Sequence, residues 1–151
     1  MEAALQLAVR YLGFRSRSEA EVRRYLQQRG FSTTALEAAI RRLLSLNYLN
    51  DEVFARNWAL ARAQTHGYGP LKIDHELRTK GIATPVIRDT LRETFDQIDE
   101  TAQARRLLTK RFKGERLSET RIARRAAALL QRHGYSGKVI FDLLRCSIED
   151  E

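Results

Sequence analysis

One pattern occurs three times along this chain and limits what it can fold into. Leu26, Gly30, Phe31, Leu36 and Ile40 recur at the same offsets as Leu77, Gly81, Ile82, Ile87 and Leu91, and again as Leu130, Gly134, Tyr135, Ile140 and Leu144. The three glycines are 51 and 53 residues apart. Self-similarity at that period is the mark of an array of supersecondary units.

Each glycine closes a helical stretch, where its access to the left-handed conformation makes it a C-terminal cap. Arg29, Lys80 and His133 stand one residue earlier, where a cation complements the negative end of the helix dipole. A new helix starts almost at once. Ser32, Thr33 or Thr34, Thr84 before Pro85, and Ser136 are the candidate N-caps, and Thr34 with Glu37 has capping-box spacing. The signature therefore predicts a helix, a tight glycine turn and a second helix.

A third helix precedes each pair. Leu5, Ala8, Val9 and Leu12 form one stripe, followed by a capping box at Ser18 and Glu21. In the second repeat Asn50 or Asp51 caps a helix expected to turn Phe54, Trp58 and Ala61 inward, with His66 to Pro70 as the connector. In the third, Ala104, Leu107, Leu108 and Phe112 play that part, up to Lys113 and Gly114. No useful stretch alternates with the period of two that a strand needs. The fold class predicted is all-α, with three tandem three-helix repeats at 1–50, 51–97 and 98–151 forming an elongated, curved helical array. Units of this size bury little surface alone and lean on their neighbours.

With 43% hydrophobic and 30% charged residues, the chain can bury a core. No apolar run approaches the roughly 20 residues needed to span a membrane, and the N-terminus lacks the charged-then-apolar order of a signal peptide. A cytoplasmic location is expected. The single cysteine, Cys146, cannot form an internal disulfide and is expected to be a buried or half-buried small apolar residue.

Net charge is +8, and it is unevenly placed. Residues 1–50 carry eight basic and four acidic side chains, residues 51–100 seven and nine, and residues 101–151 twelve and six. A basic, acid-balanced, basic pattern points to an anionic partner. Arginine outnumbers lysine 22 to 5, and its planar fork matches carboxylate and phosphate alike. Arg121, Arg125 and Arg132 fall on one face of the middle helix of the third repeat, beside an apolar stripe of Ile122, Ala126, Leu129 and Leu130. Arg15 and Arg17, in the loop before the first capping box, read as free of opposite-charge partners and so as better contact candidates. These five arginines are the candidate partner-binding residues. In the second repeat, Asp74 with Arg78 and Glu76 with Lys80 read instead as structural i, i+4 pairs.

A catalytic site does not emerge. His66, His75 and His133 lack metal-ligand spacing, and Gly67, Tyr68, Gly69 and Pro70 lack the length and the Lys and Ser/Thr of a phosphate loop. No catalytic, cofactor-binding or metal residues are assigned, no cofactor is expected, and the chain reads as a non-enzyme. Sequence-specific DNA reading is also poorly served. The helices that would enter a groove, from Thr34 and from Pro85, lack the Asn, Gln and Arg set at their N-terminal ends that reads bases.

Three blocks resemble a known family. Tyr11, Leu12, Arg15, Arg17, Ser18, Glu21, Val22, Leu26, Gly30 and Phe31 look like the opening motif of the bacterial RecX regulatory proteins. Leu46, Tyr48, Leu49, Asn50, Asp51, Phe54 and Ala55 match their second block, with Asn47 in place of the usual glycine. Gly69, Pro70, Ile73, Glu76, Leu77, Lys80, Gly81 and Ile82 match a third. The resemblance implies tandem three-helix repeats and a monomeric, non-enzymatic modulator that lies along the RecA filament on single-stranded DNA. Its implied effect is to restrain RecA's ATP hydrolysis, strand exchange and stimulation of repressor self-cleavage in recombination, repair and the SOS response. Direct contact with single-stranded or double-stranded DNA is a further implied partner interaction. The alternative is a general, non-specific DNA-binding helical protein acting without RecA.

Overall fold

The computed structural model describes residues 2–151, and every regular element among them is a helix. In chain order these are α1 Glu2–Leu12, α2 Glu19–Gln28, α3 Thr33–Ser45, α4 Asp51–His66, α5 Pro70–Thr79, α6 Thr84–Gln97, α7 Glu100–Arg111, α8 Thr120–Arg132 and α9 Gly137–Glu149. The predicted helix order holds throughout.

The recurring stop has the geometry its residues predict. Gly30, Gly81 and Gly134 follow α2, α5 and α8 with φ of +86°, +79° and +93°. At each, the amide of the next residue bonds back into the helix: Phe31 N to Leu26 O at 3.4 Å, Ile82 N to Leu77 O at 3.0 Å and Tyr135 N to Leu130 O at 3.1 Å. This is the six-to-one bond of a Schellman closure, and it satisfies a carbonyl the helix end would leave open. Asn47 (φ +60°) fills the left-handed position where the resembled motif carries glycine, a conformation Asn tolerates better than most side chains.

Helix starts follow the expected chemistry with two corrections. Ser18 and Glu21 form a complete capping box on α2, and Ser136 Oγ accepts from Val139 N at 3.3 Å. Asn50 is the cap of α4, accepting from Glu52 N and Val53 N. For α3, however, the cap is Ser32, which accepts from Ala35 N at 3.2 Å. That leaves the expected Thr34–Glu37 box inside the helix, and Glu37 pairs with Arg23. α6 already includes Thr84, whose hydroxyl accepts from Arg78 at 3.1 Å instead of capping a helix that begins at Pro85.

The described chain divides into two compact units, one running to Asn57 and including Leu77–Arg88, the other comprising Trp58–Glu76 and Asp89–Glu151. The core of the first gathers Ala4 and Ala8 of α1, Val22 and Leu26 of α2, and Leu36, Ile40 and Leu43 of α3. Ala4 and Ala8, not the expected Val9, face inward: both alanines are wholly buried, whereas Val9 is 41% exposed. The core of the second gathers Leu108, Phe112, Ile122, Ala126, Leu129, Leu130, Tyr135 and Leu143. Full burial of a leucine-sized side chain stabilises a fold by about 1.5–3 kcal/mol, so each cluster is a substantial part of its unit's stability. α4 corrects another expectation, since its buried stripe is Ala55, Ala59 and Ala63 at i, i+4 spacing while Ala61 is exposed. Cys146 is exposed, not buried, on the outer side of α9.

Candidate anion-binding interface

Within each compact unit, a glycine stop docks against the start of a middle helix. The two joints built this way organise the charged residues of the protein.

In the first unit, the stop of α5 meets the N-terminus of α2. Ser18, wholly buried, donates its hydroxyl to Lys80 O at 2.6 Å, and Asp51 Oδ1 accepts from Glu19 N at 2.8 Å. Gly81 lies so close that a Cβ there would stand 2.4 Å from the Ala20 Cβ. Glu21 is the charge centre. Its carboxylate accepts from Arg15 at 2.9 Å and from the Ser18 amide at 3.1 Å, with Lys80 at 3.5 Å and Arg17 at 3.9 Å. Burial pushes the Glu21 carboxyl up, but the Ser18 amide, Lys80 and Arg15 outweigh it and hold the group below its ordinary value of 4.5. Burial also raises Asp51, to which Glu19 and Glu21 add like charge. Arg17 lies over the Tyr11 ring at 4.1 Å, and Tyr11 stacks on Tyr25 at 3.9 Å. Arg15 and Arg17 are thus not the partner-free cations that the sequence suggests. They are committed to Glu21, which lies beyond i, i+4 reach of Arg15 and becomes its neighbour only when the loop folds back.

In the second unit, the stop of α8 meets the N-terminus of α5. Gly69 N donates to His133 O at 2.6 Å and Leu71 N to Gly134 O at 2.9 Å. A Cβ on Gly134 would lie 2.3 Å from the Lys72 amide nitrogen. Tyr135, 1% exposed, donates its hydroxyl to Gly67 O at 2.7 Å and accepts from Gln103 at 2.9 Å. The joints correspond position by position: Lys80 and His133 precede the glycines, Ser18 and Gly69 receive their carbonyls, and Glu21 and Lys72 each stand at the third helical residue. The carboxylate centre of the first joint is therefore a cation in the second.

The surroundings of Lys72 are basic. Its ammonium lies 4.5 Å from the centre of the Tyr68 ring. Arg132 borders a cleft of about 270 Å³ with Lys72, His75 and Gln131, and an adjoining one of about 210 Å³ with Arg111, Arg125 and Phe112. Burial first, and then Lys72, Arg111 and Arg132, hold the His133 imidazole below its ordinary value of 6.5, against the pull of the Leu129 carbonyl. Arg125 meets Glu115 at 3.2 Å and lies 5.3 Å from the Phe112 ring centre. Among the described residues, no carboxylate lies within ion-pairing distance of Lys72, Arg111 or Arg132. Arg121, Arg125 and Arg132 all lie on the exposed side of α8, as their spacing predicts. Lys72 and Arg111 escape sequence reasoning because they are brought to α8 from other helices. The signal that could have found Lys72 is its alignment with Glu21.

Elsewhere in this unit, Glu76 accepts from Trp58 at 3.1 Å and from Arg62 at 2.6 and 3.1 Å, which ties α5 to α4. The sequence had assigned Glu76 a pair along its own helix. His75 is exposed. A cavity of about 600 Å³ is bordered by Thr65, His66, Asp99, Gln103, Arg106 and Lys110. Among the described residues no three His, Cys, Asp or Glu side chains converge, and no helix is long and apolar enough to cross a membrane.

Comparison with known proteins agrees with this architecture. Residues 4–43 match the first three-helix domain of RecX and residues 50–91 the second. The chain is 36% identical to the regulatory protein RecX of Lactobacillus johnsonii over 152 aligned positions, covering 98% of this chain and 56% of that protein. It is 38% identical to the RecX of Deinococcus radiodurans, covering 95% of this chain and 68% of the relative. The chain spans about half the length of the Lactobacillus and Bacillus relatives it matches. The crystal structure of RecX from Lactobacillus salivarius superposes with a TM-score of 0.84 at 21% identity, covering 99% of this chain and 97% of that one, which establishes the shared fold. With both helical domains matched in order and nearly the whole chain aligned to the Deinococcus relative, the protein belongs to the RecX family of regulatory proteins.

Proposed function

We propose that this protein binds the RecA nucleoprotein filament and restrains its ATP hydrolysis, strand exchange and co-protease activity, acting as a non-enzymatic monomer in the cytoplasm. The observation that carries this reading is family membership combined with the basic surface around α8. A filament of protein and DNA offers phosphate and carboxylate, the two groups the guanidinium fork fits best. Arg121, Arg125 and Arg132 serve as contacts to it, whereas Arg15 and Arg17 act indirectly by holding the first joint.

The test is RecA's ATPase on single-stranded DNA, with and without this protein at stoichiometric concentration. Inhibition is expected, and replacing Arg121, Arg125 and Arg132 together with Ala should weaken it about tenfold or more while helicity is unchanged. No effect of the unaltered protein would refute the reading. Binding to bare DNA as tight as to the filament at matched salt would favour the alternative, a general DNA-binding protein acting without RecA.

A further inference from the structure

The cavity of about 600 Å³ between the last turn of α4 and the face of α7 lies within the second compact unit and takes no part in either joint. Its α7 wall is ordered. Asp99 caps the helix, and Gln103, Arg106, Leu107 and Lys110 follow on the same side, all bordering the cavity. At 1.5 Å of rise per residue, Asp99 and Lys110 stand about 16 Å apart along the axis, so the wall has two distant ends.

The end nearer Asp99 accepts hydrogen bonds. Gln103 is 6% exposed and gives its amide hydrogens to Tyr68 O at 3.2 Å and to Tyr135 Oη at 2.9 Å. Its side-chain carbonyl oxygen meets no donor among the described residues. Nor is that oxygen enclosed without a partner, as Arg17 Nε is, so it opens on the cavity that Gln103 borders. Asp99, whose Oδ1 accepts from Ala102 N at 3.0 Å, adds a carboxylate. The other end is cationic. Arg106 and Lys110 are exposed, stand at i, i+4 and form no ion pair among the described residues. Like charges so placed repel, and a bound anion would relieve both. Between the two ends Leu107 is half-buried and gives an apolar wall.

We propose that this cavity binds a nucleoside phosphate, with its phosphates on Arg106 and Lys110, its ring along Leu107 and a ring-edge N–H donated to Gln103. Such a molecule is anionic at one end, flat and apolar along its middle and donor-bearing at the other, which is the order of the wall. A free phosphate would leave the Gln103 oxygen unmet. A nucleic-acid strand fits less well, because it carries phosphate out at both ends and Asp99 stands at one of them. The volume lies within the range of roughly 300–1,000 Å³ usual for small-ligand sites.

The inference stands apart from the recombinase reading, since the purified protein and ADP suffice to test it. Calorimetric titration should show ADP binding at least about tenfold tighter than inorganic pyrophosphate or adenosine, each of which lacks one end of the ligand. Amide shifts on adding ADP should gather at residues 64–67 and 103–110. R106A/K110A should weaken ADP binding by about tenfold or more, whereas Arg92→Ala, exposed elsewhere in this unit, should change it less than about twofold. Thermal melts identify a variant that fails to fold; if R106A/K110A does, R106Q/K110Q replaces it. Absence of binding at about 1 mM ADP overturns the proposal, as do pyrophosphate binding as tight as ADP and unchanged affinity in folded R106A/K110A. Release of ADP by a thymidine oligonucleotide at matched phosphate concentration would assign the cavity to a nucleic-acid strand and also overturn it. A lost effect on RecA with ADP binding intact would count against the function proposed above and leave this inference standing.

Discussion

The two joints use the same backbone solution: the carbonyl before a stop glycine is received at the start of a middle helix, and the glycine presses against the next residues. They differ in what surrounds that contact. The first is closed by charge, with an acid at the third helical position ringed by cations, one of them Arg15 from the preceding loop. The second is closed by an aromatic hydroxyl, Tyr135 bonded to Gly67 and Gln103, and leaves its cations facing outward. The contrast teaches that in a repeat protein the frame is held by recurring residues, and that differences at equivalent positions decide whether a face is structural or available.

The largest effect expected concerns the glycines. Gly134→Ala and Gly81→Ala each place a methyl inside a joint, 2.3 Å from the Lys72 nitrogen and 2.4 Å from the Ala20 Cβ, and each should cost about 3 kcal/mol or more. Gly30→Ala meets open space and should cost only the left-handed strain, about 1–2 kcal/mol. Urea titrations of the three variants check this, and equal losses would mean the joints do not determine the outcome.

A smaller effect separates the charged centres. Glu21→Gln removes the negative charge shared by the Ser18 amide and three cations, and about 1–2 kcal/mol of stability should go with it. Lys72→Gln relieves repulsion and should be neutral or stabilising by a few tenths of a kcal/mol. Thermal melts at low salt would expose the difference. If both variants destabilise alike, the charge asymmetry has no energetic content.

The smallest effect separates the joints by pH. His133 is held below 6.5, so on acidification the unfolded chain takes up its proton first. Stability from this group is complete above about pH 6.5 and declines as pH falls from there toward the folded-state value. Glu21 is held below 4.5, so its contribution persists above that value and is lost only as pH drops through its lower folded-state value; Asp51, raised by burial, opposes the loss. Melting temperature should therefore slip first as pH falls below about 6.5, and His133→Gln should remove that step. A single acid transition confined below pH 4.5 in the unaltered protein would contradict it.

Much of the frame was legible in the residues. Glycine four positions after a leucine and one before an apolar residue specifies a Schellman stop from local chemistry alone, and the Ser18–Glu21 box follows from spacing within one turn. Burial was less so. Val9 and Ala61 were expected inside and lie out, because periodicity gives a stripe's direction only to within a residue, and neighbouring helices select the smaller side chain where they approach closely. The arginine row on α8 was visible because it lies on one helix, whereas Lys72 and Arg111 were not, because they come from α5 and α7.

The sequence by itself determined an all-helical chain of repeated units, where its helices stop, and that its ends are basic, since these depend on interactions within a few residues or on composition. Only the tertiary structure decided which cations are spent and which are free. Arg15 meets Glu21 when a loop folds back, joining Arg17, which already stands at i, i+4 spacing from it, and Lys72 meets Arg132 when a glycine stop docks. Charge pairing is a matter of distance in space, which falls off within a few ångströms, and separation along the chain does not fix it.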